Sequence, residues 1–262
     1  MAEPVAQGRV FSERHDRILK ITIDNVARKN SFTPEMMEQL SDALTLLDND
    51  ASLWVGVICA NGADFTAGLD MPKFFGPDAT RKPLPEDNVD PFGMTRACRK
   101  PIVTAVQGIC FTLGIELMLA GDIVIAADDC RFSQLEPKRG IAAMGGAHYR
   151  FIARAGWGDA MYHLLLADEF SAAEAHRIGF VQEVVAPGRQ IERAMEVARI
   201  IAGNAPLAVQ VTKEAGRAFI AAAEQAAIAY LPRIRERVLG TADHAEGLKS
   251  FIERRAGRFT GT

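Results

Sequence analysis

The stretch Thr112-Leu113-Gly114-Ile115-Glu116-Leu117-Met118-Leu119-Ala120 is apolar except for one acid, Glu116. A carboxylate withdrawn from water is costly unless it is paired, hydrogen-bonded or protonated. No Lys or Arg lies within a helical turn of it in sequence, so chemistry is the leading reason for its presence. A second acid, Glu136, follows twenty residues later, just past the next apolar strand. Alone, Glu136 reads as a surface acid paired with Lys138 or Arg139. Beside Glu116 it gains another meaning, because two carboxylates at one apolar pocket suit general acid–base work on a polarised substrate.

Two turns could supply the polarising groups. Phe65-Thr66-Ala67-Gly68-Leu69-Asp70 follows a strand, and its glycine permits a tight turn with free N–H groups. Alone it is an ordinary strand-to-helix turn. Gln107-Gly108-Ile109-Cys110-Phe111-Thr112 leads into the helix that carries Glu116, and a helix start has unpaired N–H groups and partial positive charge. One N–H from each turn could cradle an oxygen that becomes negative during reaction. Gly145-Gly146 is a weak turn signal, and His148 reads as a structural or surface histidine. Motifs for phosphate loops, nucleophile elbows, zinc proteases and CxxC sites do not occur.

The surrounding pattern shows what must position these groups. Ile18 to Ile23 alternates as a half-buried strand, and Asn25 to Asn30 is a loop. Thr33-Pro34-Glu35 starts a helix, with Thr33 at the N-cap, Pro34 at N1 and an acid in the first turn. Met37, Leu40, Ala43, Leu44 and Leu47 form its apolar stripe, and Asp48-Asn49-Asp50 ends it. Leu53 to Ala60 is a continuous apolar strand, as in a sheet covered on both faces. Residues 72 to 92 carry five prolines and read as a mobile loop. Strand Pro101 to Val106, helix Leu113 to Ala120 and strand Ile123 to Ala127 repeat the alternation, which implies a right-handed α/β core. From Ala153 the chain is nearly all helical in period, with a capping box at Ser171…Glu174 and long helices over Ile191 to Ile201 and Pro206 to Ile228. The tail has too little core to stand alone and must pack on the rest or on a neighbouring subunit.

The 262 residues suffice for one large domain or one domain with a smaller appendage. A net charge of −3 gives no reason to expect nucleic-acid binding. The tail arginines, such as Arg233, Arg235 and Arg254, alternate with acids as on solvated helix faces. Apolar runs are too short to span a bilayer, and no signal peptide is read at the N-terminus. Cys59, Cys98, Cys110 and Cys130 form no cluster and read as buried reduced thiols, which fits a cytoplasmic setting.

In order and spacing, five segments resemble the crotonase (enoyl-CoA hydratase/isomerase) superfamily. They are Arg28-Lys29-Asn30-Ser31-Phe32, the Phe65 to Asp70 turn, Gly108 through Asp122, Phe132-Ser133-Gln134-Leu135-Glu136, and Glu246 to Arg255. The resemblance implies an α/β spiral of ββα units, over residues 1–195, that carries an acyl-CoA site. It implies a helical C-terminal trimerisation region over 196–262, in a homotrimer or dimer of trimers. It implies an enoyl-CoA hydratase whose substrate is an acyl-CoA thioester, with no separate cofactor and no metal. The hydratase glutamates fall on Glu116 and Glu136, and the oxyanion-hole N–H groups on Leu69 and Leu113. Coenzyme A and substrate contacts fall on Arg28, Ala67, Gly68, Leu69, Asp70, Met71 and Gly114. The alternatives within the fold are a Δ3,Δ2-isomerase or another acyl-CoA reaction, and outside it a coenzyme A-binding protein of low activity. Where the family has Gly-Gly-Gly this chain has Thr112-Leu113-Gly114, and leucine disfavours positive φ and adds bulk beside the acyl path.

Overall fold

The computed structural model describes residues 8–76, 79 and 83–262. A six-stranded sheet begins with the hairpin β1 (Arg9–His15) and β2 (Ile18–Asp24), paired antiparallel from Arg9↔Asp24 to His15↔Ile18. Helix α1 (Pro34–Asn49) then crosses to β3 (Val55–Ala60), parallel to β2. Thr33 caps α1 by accepting from the Met36 N–H at 3.3 Å, and Pro34 needs no donor at N1. A short α2 (Met71–Phe75) precedes β4 (Ile102–Val106). The expectation of a mobile loop over 72–92 lies partly outside the described residues, at 77, 78 and 80–82; the helical turn at its start departs from a loop.

Strand β5 (Ile109–Phe111) leads into α3 (Leu113–Ala120), and β6 (Ile123–Ala127) returns to the sheet beside β4. β7 (Arg131–Ser133) pairs with β5, and after a 3-10 turn at Glu136–Arg139 comes α4 (Ala147–Leu166), broken at Gly156. β8 (Phe170–Ser171), α5 (Ala172–Arg177), β9 (Glu183–Val185) and α6 (Gln190–Ala202) follow. The chain closes with α7 (Pro206–Ala229), α8 (Leu231–Val238) and α9 (Ala242–Ile252). The large sheet runs β1-β2-β3-β4-β6-β9, and the small one β5-β7-β8. The helical expectation beyond Ala153 is corrected by β8 and β9, two and three residues long, which are too short to show a period.

β3 is buried at all six positions, and its alternate residues serve two layers. Val55, Val57 and Cys59 pack with Ala194, Met195 and Ala198 of α6. Ile58 and Ala60 face the larger core of α1 and α3, with Leu40, Leu44 and Ile115. The position 195/196 therefore falls inside a helix that covers the sheet. Helix α7 has no buried residue over 24 positions and leaves Leu207, Val211 and Phe219 exposed. All four cysteines are free and buried.

Candidate active site

Glu116 sits in the first turn of α3, a helix apolar on every face and buried along nearly its whole length. Only 4% of the residue is exposed. Its Oε1 accepts from the Gly145 N–H at 2.7 Å and the Ala147 N–H at 3.1 Å. These donors belong to the start of α4, where the weak turn signal Gly145-Gly146 leads into the helix and the Gly145 and Ala147 N–H groups form the cradle. Gly146 at φ 110° makes the turn between them. A β-carbon on Gly145 would collide with Glu116 Oε2, so any larger residue there would displace the carboxylate. Burial pushes Glu116 up to about 7, against the pull of the Ala147 and Gly145 N–H groups and the Arg150 charge.

Glu136 opens the 3-10 turn and is 7% exposed. It makes no ion pair with Lys138 or Arg139, so the surface-acid reading of Glu136 does not hold. Its Oε2 meets no partner among the described residues. Burial, then the charge of Glu116, raises Glu136 well above the usual carboxylate range. Both acids line one cavity of about 880 Å³.

Leu69 and Leu113 line the same cavity. Phe32 donates to the Gly68 carbonyl at 2.9 Å and accepts from the Asp70 N–H at 2.8 Å. In such an extended pairing the intervening residue turns its N–H the other way, and the Leu69 N–H finds no acceptor among the described residues. The Leu113 N–H is likewise free, as the first of its helix. The two turns lie side by side: Thr66 donates to the Ile109 carbonyl at 2.9 Å, and Phe111 donates back to Thr66 at 3.0 Å. The positive φ expected at Leu113 lies one residue earlier, at Thr112 (φ 51°, ψ −114°). That conformation is rare for a β-branched residue.

The remaining sequence-predicted contacts divide. Ala67 and Met71 line the cavity. Gly68, at φ 108°, faces Thr112 across a gap too small for a side chain. Gly114 packs on Thr66, where a β-carbon would stand 2.6 Å from its methyl group. Arg28 is exposed on a turn whose next residue, Lys29, accepts the Ala67 N–H at 2.9 Å. Asp70 precedes α2 without a side-chain capping bond. His148 reaches the Ala227 carbonyl of α7 at 3.3 Å, which fits its structural reading.

Phe92, Met144, Ile228, Leu231 and Phe251 also enclose the cavity, the last three from the helical tail, and Phe92 carried no sequence signal. The tail also touches the turn that bears Glu136: β-carbons on Gly140 or Gly247 would collide with backbone of the other segment. Only two facing glycines allow this approach. Among the described residues no group of three His, Cys, Asp or Glu could hold a metal, and no helix is long and apolar enough to cross a membrane.

The family model for enoyl-CoA hydratase/isomerase matches residues 13–262. The chain therefore belongs to the enoyl-CoA hydratase/isomerase family, with the crotonase fold. It is 29% identical to the 2,3-dehydroadipyl-CoA hydratase of Escherichia coli, over 97% of this chain and 99% of that one. It is 31% identical to a probable enoyl-CoA hydratase of Mycobacterium bovis, over 96% and 97%. The solved carnitinyl-CoA hydratase of Mycobacterium avium superposes with a TM-score of 0.88 at 28% identity, covering 98% of this chain and all of that one. This chain is a crotonase-type enzyme.

Proposed function

We propose that the enzyme is an enoyl-CoA hydratase that adds water across the trans-2 double bond of an enoyl-CoA thioester. The observation that carries the reading is two buried carboxylates, both raised above the usual carboxylate range, in one cavity with two free N–H groups. The Leu69 and Leu113 N–H groups polarise the thioester oxygen and make the β-carbon electrophilic. Glu116, whose carboxylate is held by two N–H donors while Glu136 Oε2 has none, takes a proton from water as its oxygen bonds to the β-carbon. The double-bond electrons move to the thioester oxygen as an enolate. Glu136, held protonated, delivers its proton to the α-carbon as the enolate collapses. The pair ends with its proton exchanged, and transfer back from Glu116 to Glu136 resets it. Coenzyme A is part of the substrate and lies along Arg28 and the Ala67 to Asp70 backbone, and no further cofactor is needed. The uncovered face of α7 supports self-association as a homotrimer or dimer of trimers.

The test is hydration of a short trans-2-enoyl-CoA by Glu116→Gln and Glu136→Gln. Each should lower kcat by ~10²–10⁴. Full activity in either variant removes that residue from the mechanism. A migrated double bond without 3-hydroxyacyl product reassigns the enzyme to the isomerases.

A further inference from the structure

Arg150 is the most buried guanidinium of the described chain, 5% exposed, and no carboxylate pairs with it there. It stands in the first turn of α4, where the helix dipole disfavours a cation. A buried, unpaired charge in that place must serve something. Its Nη1 donates to the Gly145 carbonyl at 3.1 Å and its Nη2 to the Phe92 carbonyl at 2.5 Å. A β-carbon on Gly146 would collide with the guanidinium, so the glycine pair makes room for it as well. Gly145 is therefore gripped from both sides, its carbonyl by Arg150 and its N–H by Glu116. Phe92 forms the cavity wall and lies against Gly145, 3.1 Å from where a β-carbon would stand. Asp90 braces Phe92 in turn, accepting its N–H at 2.9 Å.

We propose that Arg150 is a positioning residue of this reaction: it clamps the Gly145 carbonyl and the Phe92 carbonyl together, so that the N–H cradle of Glu116 and the wall of the acyl cavity hold one geometry. The inference rests on Glu116 acting as the base. Arg150 does not line the cavity and works through Glu116. Its planar fork meets two carbonyls at once, which an ammonium on a flexible stem does not reproduce. The groups facing it are Tyr149 on its own helix, at 4.8 Å from ring centre to guanidinium, Glu224 and Arg217 of α7, paired with each other at 3.7 Å, and Glu116 of α3. Of these, Glu116 is the acid in the active site that the Arg150 charge favours in its ionised form.

The test is a double-mutant cycle on enoyl-CoA hydration, with Arg150→Met, Arg150→Lys and Glu116→Gln. Arg150→Met should lower kcat by ~10²-fold, the cost of a misplaced catalytic group, with little change in KM. It should also move the acid limb of the kcat–pH profile upwards. Arg150→Lys should restore the limb, because the charge returns, but not kcat, because the fork is lost. In the Glu116→Gln background either Arg150 change should cost little more, since the group it positions is already gone. Losses that multiply in that background, with an unmoved limb, would reduce Arg150 to a packing residue and overturn the proposal. Should Arg150→Met fail to fold, Arg150→Lys alone completes the cycle. Failure of the hydratase reading looks different: Glu116→Gln by itself would then stay active.

Discussion

Asp48 and Glu116 are both carboxylates inside this protein, and their surroundings push them in opposite directions. Asp48 ends α1 with its side chain fully buried. Arg96 meets it at 2.8 Å, Arg99 at 3.1 Å, and the Arg99 N–H at 2.7 Å. Burial alone would raise its pKa, but the Arg99 N–H and the two guanidinium groups hold it below the ordinary value. Glu116 has two backbone N–H groups and no ion pair, and burial wins. Asp48 is charged in order to tie the 90–100 segment to α1. Glu116 is left half-satisfied, and burial pushes it up to about 7, a value that suits the base role proposed for it. Burial of an acid therefore says little by itself; the partners decide whether it is a fastener or a reagent.

The contrast is broken most severely by kinetics. If it holds, Glu116→Gln costs ~10²–10⁴ in kcat and no unfolding free energy, whereas Asp48→Asn leaves kcat unchanged and costs about 2 kcal/mol of unfolding free energy, the worth of hydrogen bonds to charged groups. Steady-state hydration assays and urea midpoints on the same two variants check this. Equal behaviour of the two would remove the distinction.

The next effect is in the pH dependence of stability. Folded Glu116 keeps a proton that the unfolded chain has released above its ordinary 4.5, so stability falls as pH climbs from 4.5 through about 7. That interval corresponds to about 3 kcal/mol lost by the wild type relative to Glu116→Gln. Asp48 has the other sign. Its contribution is present above its ordinary 3.8 and fades as pH falls below it. Urea midpoints of the wild type and each variant, measured across pH, should diverge in opposite directions. Parallel curves for Glu116→Gln and wild type would show that its carboxyl titrates normally.

The smallest effect concerns the backbone beside Glu116. Thr112→Gly should relieve the positive φ, and after the entropy cost of glycine the net gain is about 1 kcal/mol. A loss of stability instead would mean that the Thr112 side chain packs better than its backbone strains.

The acid in an apolar run was legible because burial is written in hydrophobic context, and α1 was legible through Thr33 and Pro34. Strand β1 was not: Arg9, Glu13, Arg14 and His15 make it a polar edge, and β2 alone gives it strand geometry. The donors to Glu116 are backbone groups at Gly145 and Ala147, which leave no side-chain trace. The grip of Arg150 on Phe92 spans 58 residues of sequence and depends on the finished fold. The positive φ falls on Thr112 and not on Leu113, which shows that a motif locates a turn better than the residue within it that turns.

Gly140 and Gly247 meet bare, with no cushion of side chains between the tail helix and the turn that carries Glu136. Such a joint transmits displacement undamped. Whatever leans on α9, from within the chain or from outside it, leans in the same motion on the turn that begins with Glu136.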